Sequence, residues 1–113
     1  MAQLLRLRVS QMNNCAFCLK RHFEVSRSAD VEIATLSTWP ETDLHDATRA
    51  ALAYTEAMTA LSDAAVAASF GAAHDELAKH FNEAEIFEIA AVVINMNVWT
   101  RLKMAEGAKL RLA

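Results

Sequence analysis

Residues Gln3 to His22 read QLLRLRVSQMNNCAFCLKRH, and this stretch decides the fold class. Leu5, Val9 and Met12 recur at steps of four and three, which places them on one face of a helix rather than on alternate faces of a strand. Asn13 and Asn14 interrupt that pattern. Their short side chains accept hydrogen bonds from free backbone N–H groups, so they are expected to cap a second helix running from about Cys15 to about Ser28. Within it, Cys15, Cys18, His22 and Val25 follow steps of three, four and three, so both thiols and the imidazole share one face. The unit is helix, cap, helix, with the chemistry at the start of the second helix.

The same pattern extends along the chain. A short third helix is expected from Asp30 to Ser37, with Ser28 as its cap, and Trp39-Pro40 ends it, leaving Trp39 to Asp43 as a loop. Ala47, Ala51, Tyr54, Met58 and Leu61 define a fourth, amphipathic helix that turns Arg49 and Glu56 to solvent. Ser62 is expected to cap the next segment, which Gly71 either breaks or bends. Asn82 with Glu85 forms a capping-box pattern opening a last helix toward Leu112. Ile86 to Trp99 is apolar on nearly every face. Either a second copy of the chain covers it, or the other helices wrap it as the centre of the subunit. With 54% hydrophobic residues, two glycines and one proline in 113 residues, the expectation is one all-α domain over 1–113, a bundle of about six helices that is oligomeric.

Charge and segment length exclude several classes. The formal net charge is −3 and no basic block occurs, so no nucleic-acid footprint is present. Arg6 and Arg8 interrupt what would be a signal core, and the apolar run near Ile89 to Trp99 falls short of the roughly 20 residues that span a bilayer. A cytoplasmic protein with no membrane partner is expected. In a reducing compartment a Cys-x-x-Cys pair is catalytic or metal-binding more often than structural.

Three chemistries fit Cys15, Cys18 and His22. In the first turn of a helix, free N–H groups and the helix dipole favour thiolate over thiol; a protonated His22 adds to this and a neutral one accepts the thiol proton. That describes a dithiol redox centre. A zinc site would need a fourth ligand from His45, His74 or His80, since no second Cys-x-x-Cys or His-x-x-x-His occurs. Inert buried thiols on an interior helix face are the third possibility. The redox reading is preferred, with no bound cofactor and no metal.

Gln3 to His22 closely resembles the core motif of the alkylhydroperoxidase D-like branch of the carboxymuconolactone decarboxylase family, E-L-V-x-L-R-x-S-Q-x-N-G-C-x-Y-C-x-x-x-H. Similarity continues through LSTWPET (Leu36 to Thr42), RAALAYTE (Arg49 to Glu56) and HFNEAEIFEIAAVVINMNVWTRL (His80 to Leu102). The resemblance implies an all-α bundle assembling as a trimer or hexamer and an antioxidant enzyme that reduces organic hydroperoxides. By that analogy Cys18 attacks the peroxide and becomes a sulfenic acid, and Cys15 condenses with it to a disulfide. An external dithiol, such as a lipoyl group on a reductant protein or lipoyl domain, then attacks Cys15 as the more exposed sulfur.

Three departures from the motif bear on the candidate site. Gln3 stands where the family's relay has a glutamate; it can hydrogen-bond to His22 but brings no negative charge and carries no proton, so weaker turnover or a non-turnover redox sensor is implied. Asn14 replaces glycine and Phe17 replaces tyrosine. Elsewhere, His80 is expected at a helix end in a structural role, and His45 at the surface. Trp39, Tyr54, Phe87 and Trp99 are expected in the core or a subunit interface. Asn95 and Asn97, if buried, need partners, and inter-subunit hydrogen bonds are the expectation.

Overall fold

The computed structural model describes residues 1–107 and 109–112. Among these, six α-helices and one 3-10 helix form and no strand does: α1 (Ala2–Met12), α2 (Ala16–Val25), α3 (Asp30–Ala34), a 3-10 segment (Leu36–Glu41), α4 (Asp46–Thr59), α5 (Ala64–Ala78) and α6 (Glu83–Ala105). The centre of the bundle is α1. Leu4, Leu5, Leu7, Val9 and Ser10 are all buried, which covers most of its circumference, as α2, α4, α6 and the 3-10 segment pack around it. The main core joins these leucines to Leu36, Leu52, Tyr54, Leu77 and Ile89. A smaller cluster of Val9, Cys15, Cys18, Val93 and Met96, with Met58 beside it, sits where α2 meets α6.

Of the two readings of the last helix, the structure sets aside the one in which the other helices wrap it as the centre of the subunit. Ile89, Val93, Met96 and Thr100 face inward, while Phe87, Ile94, Val98 and Leu102 on the opposite side are 68%, 51%, 50% and 48% exposed. Asn82 and Glu85 cap α6 reciprocally at 2.9 and 3.0 Å, as their spacing implied. The helix ends at Ala105 rather than near Leu112 because Gly107 takes φ 70°, the left-handed conformation that commonly stops a helix. No helix among the described residues is long and apolar enough to cross a membrane.

Other boundaries differ for local reasons. α2 stops at Val25, short of Ser28, where the Ser26 hydroxyl accepts a hydrogen bond from the Ser28 amide at 3.1 Å and offers the backbone a turn instead. The segment expected as a loop after Trp39 is wound into the 3-10 helix through Pro40. Arg49 holds it there by donating to the carbonyls of Thr42 at 2.7 Å and Pro40 at 3.2 Å and lying over the Trp39 ring at 5.4 Å. Arg49 is therefore not turned to solvent, and neither is Glu56, which pairs with Arg8 of α1 at 2.7 Å in a half-buried contact between α1 and α4.

Asp63, not Ser62, caps α5, accepting from the amides of Ala65 and Val66. The helix runs unbroken through Gly71, where an added Cβ would meet nothing within 4 Å. An exposed glycine inside a helix costs roughly 0.5–1 kcal/mol relative to alanine through backbone entropy alone. Gly71→Ala is accordingly expected to raise stability by about that amount in urea denaturation, with an unchanged m-value; a loss of stability would mean α5 is not a continuous helix in solution.

Candidate redox-active site

The site begins with how α1 ends. Asn14 is the one described non-glycine residue with positive φ, 56°, and the Asn14 and Cys15 amides donate back to the Gln11 and Ser10 carbonyls at 3.1 and 3.0 Å. This is a Schellman stop, with asparagine at the left-handed position that the motif fills with glycine. Asn13 and Asn14 thus terminate α1 rather than cap α2. The N-cap of α2 is Cys15 itself: its sulfur accepts the Cys18 amide at 3.3 Å. One turn of backbone therefore ends α1, reverses the chain, and sets a sulfur where the free amides of α2 point.

Cys15 and Cys18 are disulfide-bonded, with Cα atoms 5.3 Å apart, inside the ordinary range for such a bridge. Both residues are 4% exposed, so burial does not set Cys15 apart as the more exposed cysteine that the family resemblance implies. Val9, Val93 and Met96 pack around them. Asn13 secures this turn to the last helix by donating to Asn97 Oδ1 at 2.9 Å and Thr100 Oγ1 at 2.8 Å, while Asn97 donates to Thr59 Oγ1 at 3.1 Å and to the Val93 carbonyl at 2.9 Å. Asn97 is thus satisfied within the subunit, contrary to the inter-subunit bonds expected, and Asn95 is exposed. Removing one partner from such a network leaves another polar group unpaired, at a cost of about 1–3 kcal/mol.

His22 lies one helical turn beyond Cys18 on α2 and is half-buried. Its Nδ1 is 3.1 Å from Oε1 of Gln3, so the first turn of α1 does meet the imidazole. If the amide oxygen accepts from Nδ1–H, Nε2 keeps its lone pair and can serve as a base. Burial lowers the His22 pKa, and the positive charges of Arg6 and Arg21 lower it further. Beside the closed disulfide these influences favour the uncharged ring, the form that can accept a proton.

Two influences on the site escaped sequence reasoning. Arg6 and Arg21 act on His22 through space, and the Asn13–Asn97–Thr100 network links residues more than eighty positions apart. An asparagine inside an apolar helix was the one available signal, and it pointed to a buried partner without naming it. His45 and His80 lie at the surface, His80 within 3.8 Å of Glu76. Among the described residues no group of three or more His, Cys, Asp or Glu side chains comes together as a metal site.

No protein-family profile matches the chain. It is 28% identical over 109 residues to the uncharacterized protein YdfG of Bacillus subtilis, across 93% of this chain and 72% of YdfG. Its fold superposes with a TM-score of 0.88, at 27% identity, on a crystal structure from Agrobacterium tumefaciens described as a protein of unknown function and candidate antioxidant defence protein AhpD; the match covers 99% of this chain and 77% of that one. The all-helical fold seen here is AhpD-like, and a disulfide-closed Cys-x-x-Cys at this position is compatible with a redox role.

The His22 environment gives a titration test. Folding weakens proton binding to His22, so below the ordinary value of 6.5 the unfolded chain holds more of that proton. The resulting stability is complete above that value and is lost as pH falls through the folded pKa. Gln3→Glu adds a carboxylate beside Nδ1 and is expected to raise the His22 pKa, measured by NMR titration of the ring, and to shrink the acid-side loss of thermal stability. An unmoved His22 titration would mean that Gln3 does not contact the ring in solution.

Proposed function

We propose that the chain is a thiol-dependent peroxidase that reduces organic hydroperoxides through a Cys15–Cys18 dithiol/disulfide cycle in a reducing, cytoplasmic compartment. The observation that supports it most is the disulfide set at a helix start with an imidazole one turn on whose pKa burial lowers. In the proposed cycle Cys18 loses its proton to His22 and its thiolate attacks a peroxide oxygen. The O–O bond breaks, the alkoxide leaves as alcohol on taking a proton, and Cys18 becomes a sulfenic acid. Cys15 thiolate then attacks the Cys18 sulfur, water departs, and the disulfide closes. An external dithiol returns two electrons and two protons by thiol–disulfide exchange, itself ending as a disulfide. Gln3 orients His22 without lending it charge.

That last point also favours a second reading. Without a carboxylate to support its imidazolium, and with both sulfurs buried, the same centre would suit a sensor that is oxidised once and recycled slowly. The two readings separate on mixing reduced protein with cumene hydroperoxide. Two thiols should disappear and an intramolecular disulfide form. Cys18→Ser should abolish the reaction, Cys15→Ser should leave a sulfenic acid trappable with dimedone, and His22→Ala should slow the first step by roughly 10²-fold. Multiple turnover with dihydrolipoamide marks an enzyme; arrest after one oxidation marks a sensor. Thiols that react only after unfolding would remove both readings.

We also propose that the chain is a homo-oligomer, trimer or hexamer, with α6 in the interface. Phe87, Ile94, Val98 and Leu102 form an apolar stripe along its outer side, larger than isolated exposed side chains produce. Light scattering coupled to size exclusion should give three or six subunits, and Ile94→Glu should dissociate them; a monomer at micromolar concentration would exclude this interface.

A further inference from the structure

Charge is distributed unevenly over this acidic chain. Residues 28–100 hold every carboxylate except Glu24 and Glu106, yet only Arg49 and Lys79 among the bases. Apart from Arg27, just after α2, the remaining basic residues lie in α1, α2, the last turns of α6 and the segment after it. After α6, Lys109, Leu110 and Arg111 come to the outer side of α2, where with Phe17, Lys20, Arg21 and Glu24 they line a cleft of about 370 Å³. Phe17 lies between the two cysteines in sequence, and the Lys103 ammonium sits 5.0 Å from its ring centroid. Lys20 is paired with Glu24 at 2.8 Å, and neither Arg21, Lys109 nor Arg111 has an ion-pair partner among the described residues.

We infer that this cationic cleft is the docking site of the reductant, and that the reductant is an acidic protein segment carrying a reactive dithiol. The inference rests on the dithiol cycle proposed above. A hydroperoxide is neutral and gains nothing from unpaired cations along the helix that carries Cys18. The reducing species is different: its attacking form is a thiolate, and a carrier that presents it amid carboxylates is drawn to this face and repelled by the acidic remainder. In the exchange the carrier's thiolate bonds to one protein sulfur and expels the other cysteine as thiolate. The carrier's second thiol then displaces the remaining cysteine, leaving the carrier as a cyclic disulfide and the protein with two thiols.

The test starts from full-length protein oxidised with diamide. Two peptides are compared as reductants, each carrying one dihydrolipoyl-lysine, flanked in one by four glutamates and in the other by four glutamines. At about 0.01 M salt, where the screening length is about 30 Å, the glutamate peptide should reduce the disulfide at least about 10-fold faster. At about 1 M salt, with screening over about 3 Å, the two rates should converge. Lys109→Gln/Arg111→Gln should remove most of the low-salt advantage while leaving reduction by dithiothreitol unchanged, and Glu24→Gln should enlarge it. Equal low-salt rates for the two peptides would overturn the inference. So would an advantage that survives Lys109→Gln/Arg111→Gln. Because peroxide takes no part in the assay, failure of the peroxidase reading and failure of this one are separate results.

Discussion

The turn that ends α1 is the constraint on which the site depends. A Schellman stop fixes where the chain reverses, because the Asn14 and Cys15 amides must reach particular carbonyls of the last helical turn. The reversal puts Cys15 at the N-cap of α2, and helical spacing then fixes Cys18 and His22 relative to it. Asn13 pins the same turn to α6 through Asn97 and Thr100. Three adjacent residues thereby set the crossing of two helices, the position of a sulfur, and the attachment of the first helix pair to the last.

Position on the central helix matters as much as the turn. Gln3 is held at one end of α1 and Cys15 follows the other end, with Leu4, Leu5, Leu7 and Val9 locked in the core between them. The span separating Gln3 from the sulfur is thus a helix rather than a loop, and α2 folds back along it so that His22 reaches Gln3. The site inherits its precision from the best-packed element of the molecule.

How much of this was legible follows the range of the forces involved. Periodicity is local, so the face shared by Cys15, Cys18 and His22 and the Asn82–Glu85 box could be read directly from spacing. Helix stops and starts use the same small polar residues, which is why Asn13 and Asn14 were mistaken for an N-cap when they close α1. Gly107 carried a stop signal that the apolar run before it obscured. Arg49 and Glu56 were assigned to solvent from the helix pattern alone, whereas Trp39, the 3-10 carbonyls and Arg8 receive them, partners that only the tertiary fold supplies. The relative cover of the two thiols was equally invisible, since it depends on Val93 and Met96 at the far end of the chain.

That last dependence sets an order of events during synthesis. Of these helices α1 and α2 are synthesised before α6, yet Val93 and Met96, which help to enclose the two sulfurs, belong to α6, and the Asn13–Asn97 bond spans 84 residues. Such long-range closure raises contact order and cannot form until nearly the whole chain is available. Until α6 is available, the two cysteines lack the cover that Val93 and Met96 give them. A compartment that keeps thiols reduced, the one the proposed dithiol cycle calls for, would also keep the two cysteines from mispairing until those last contacts close.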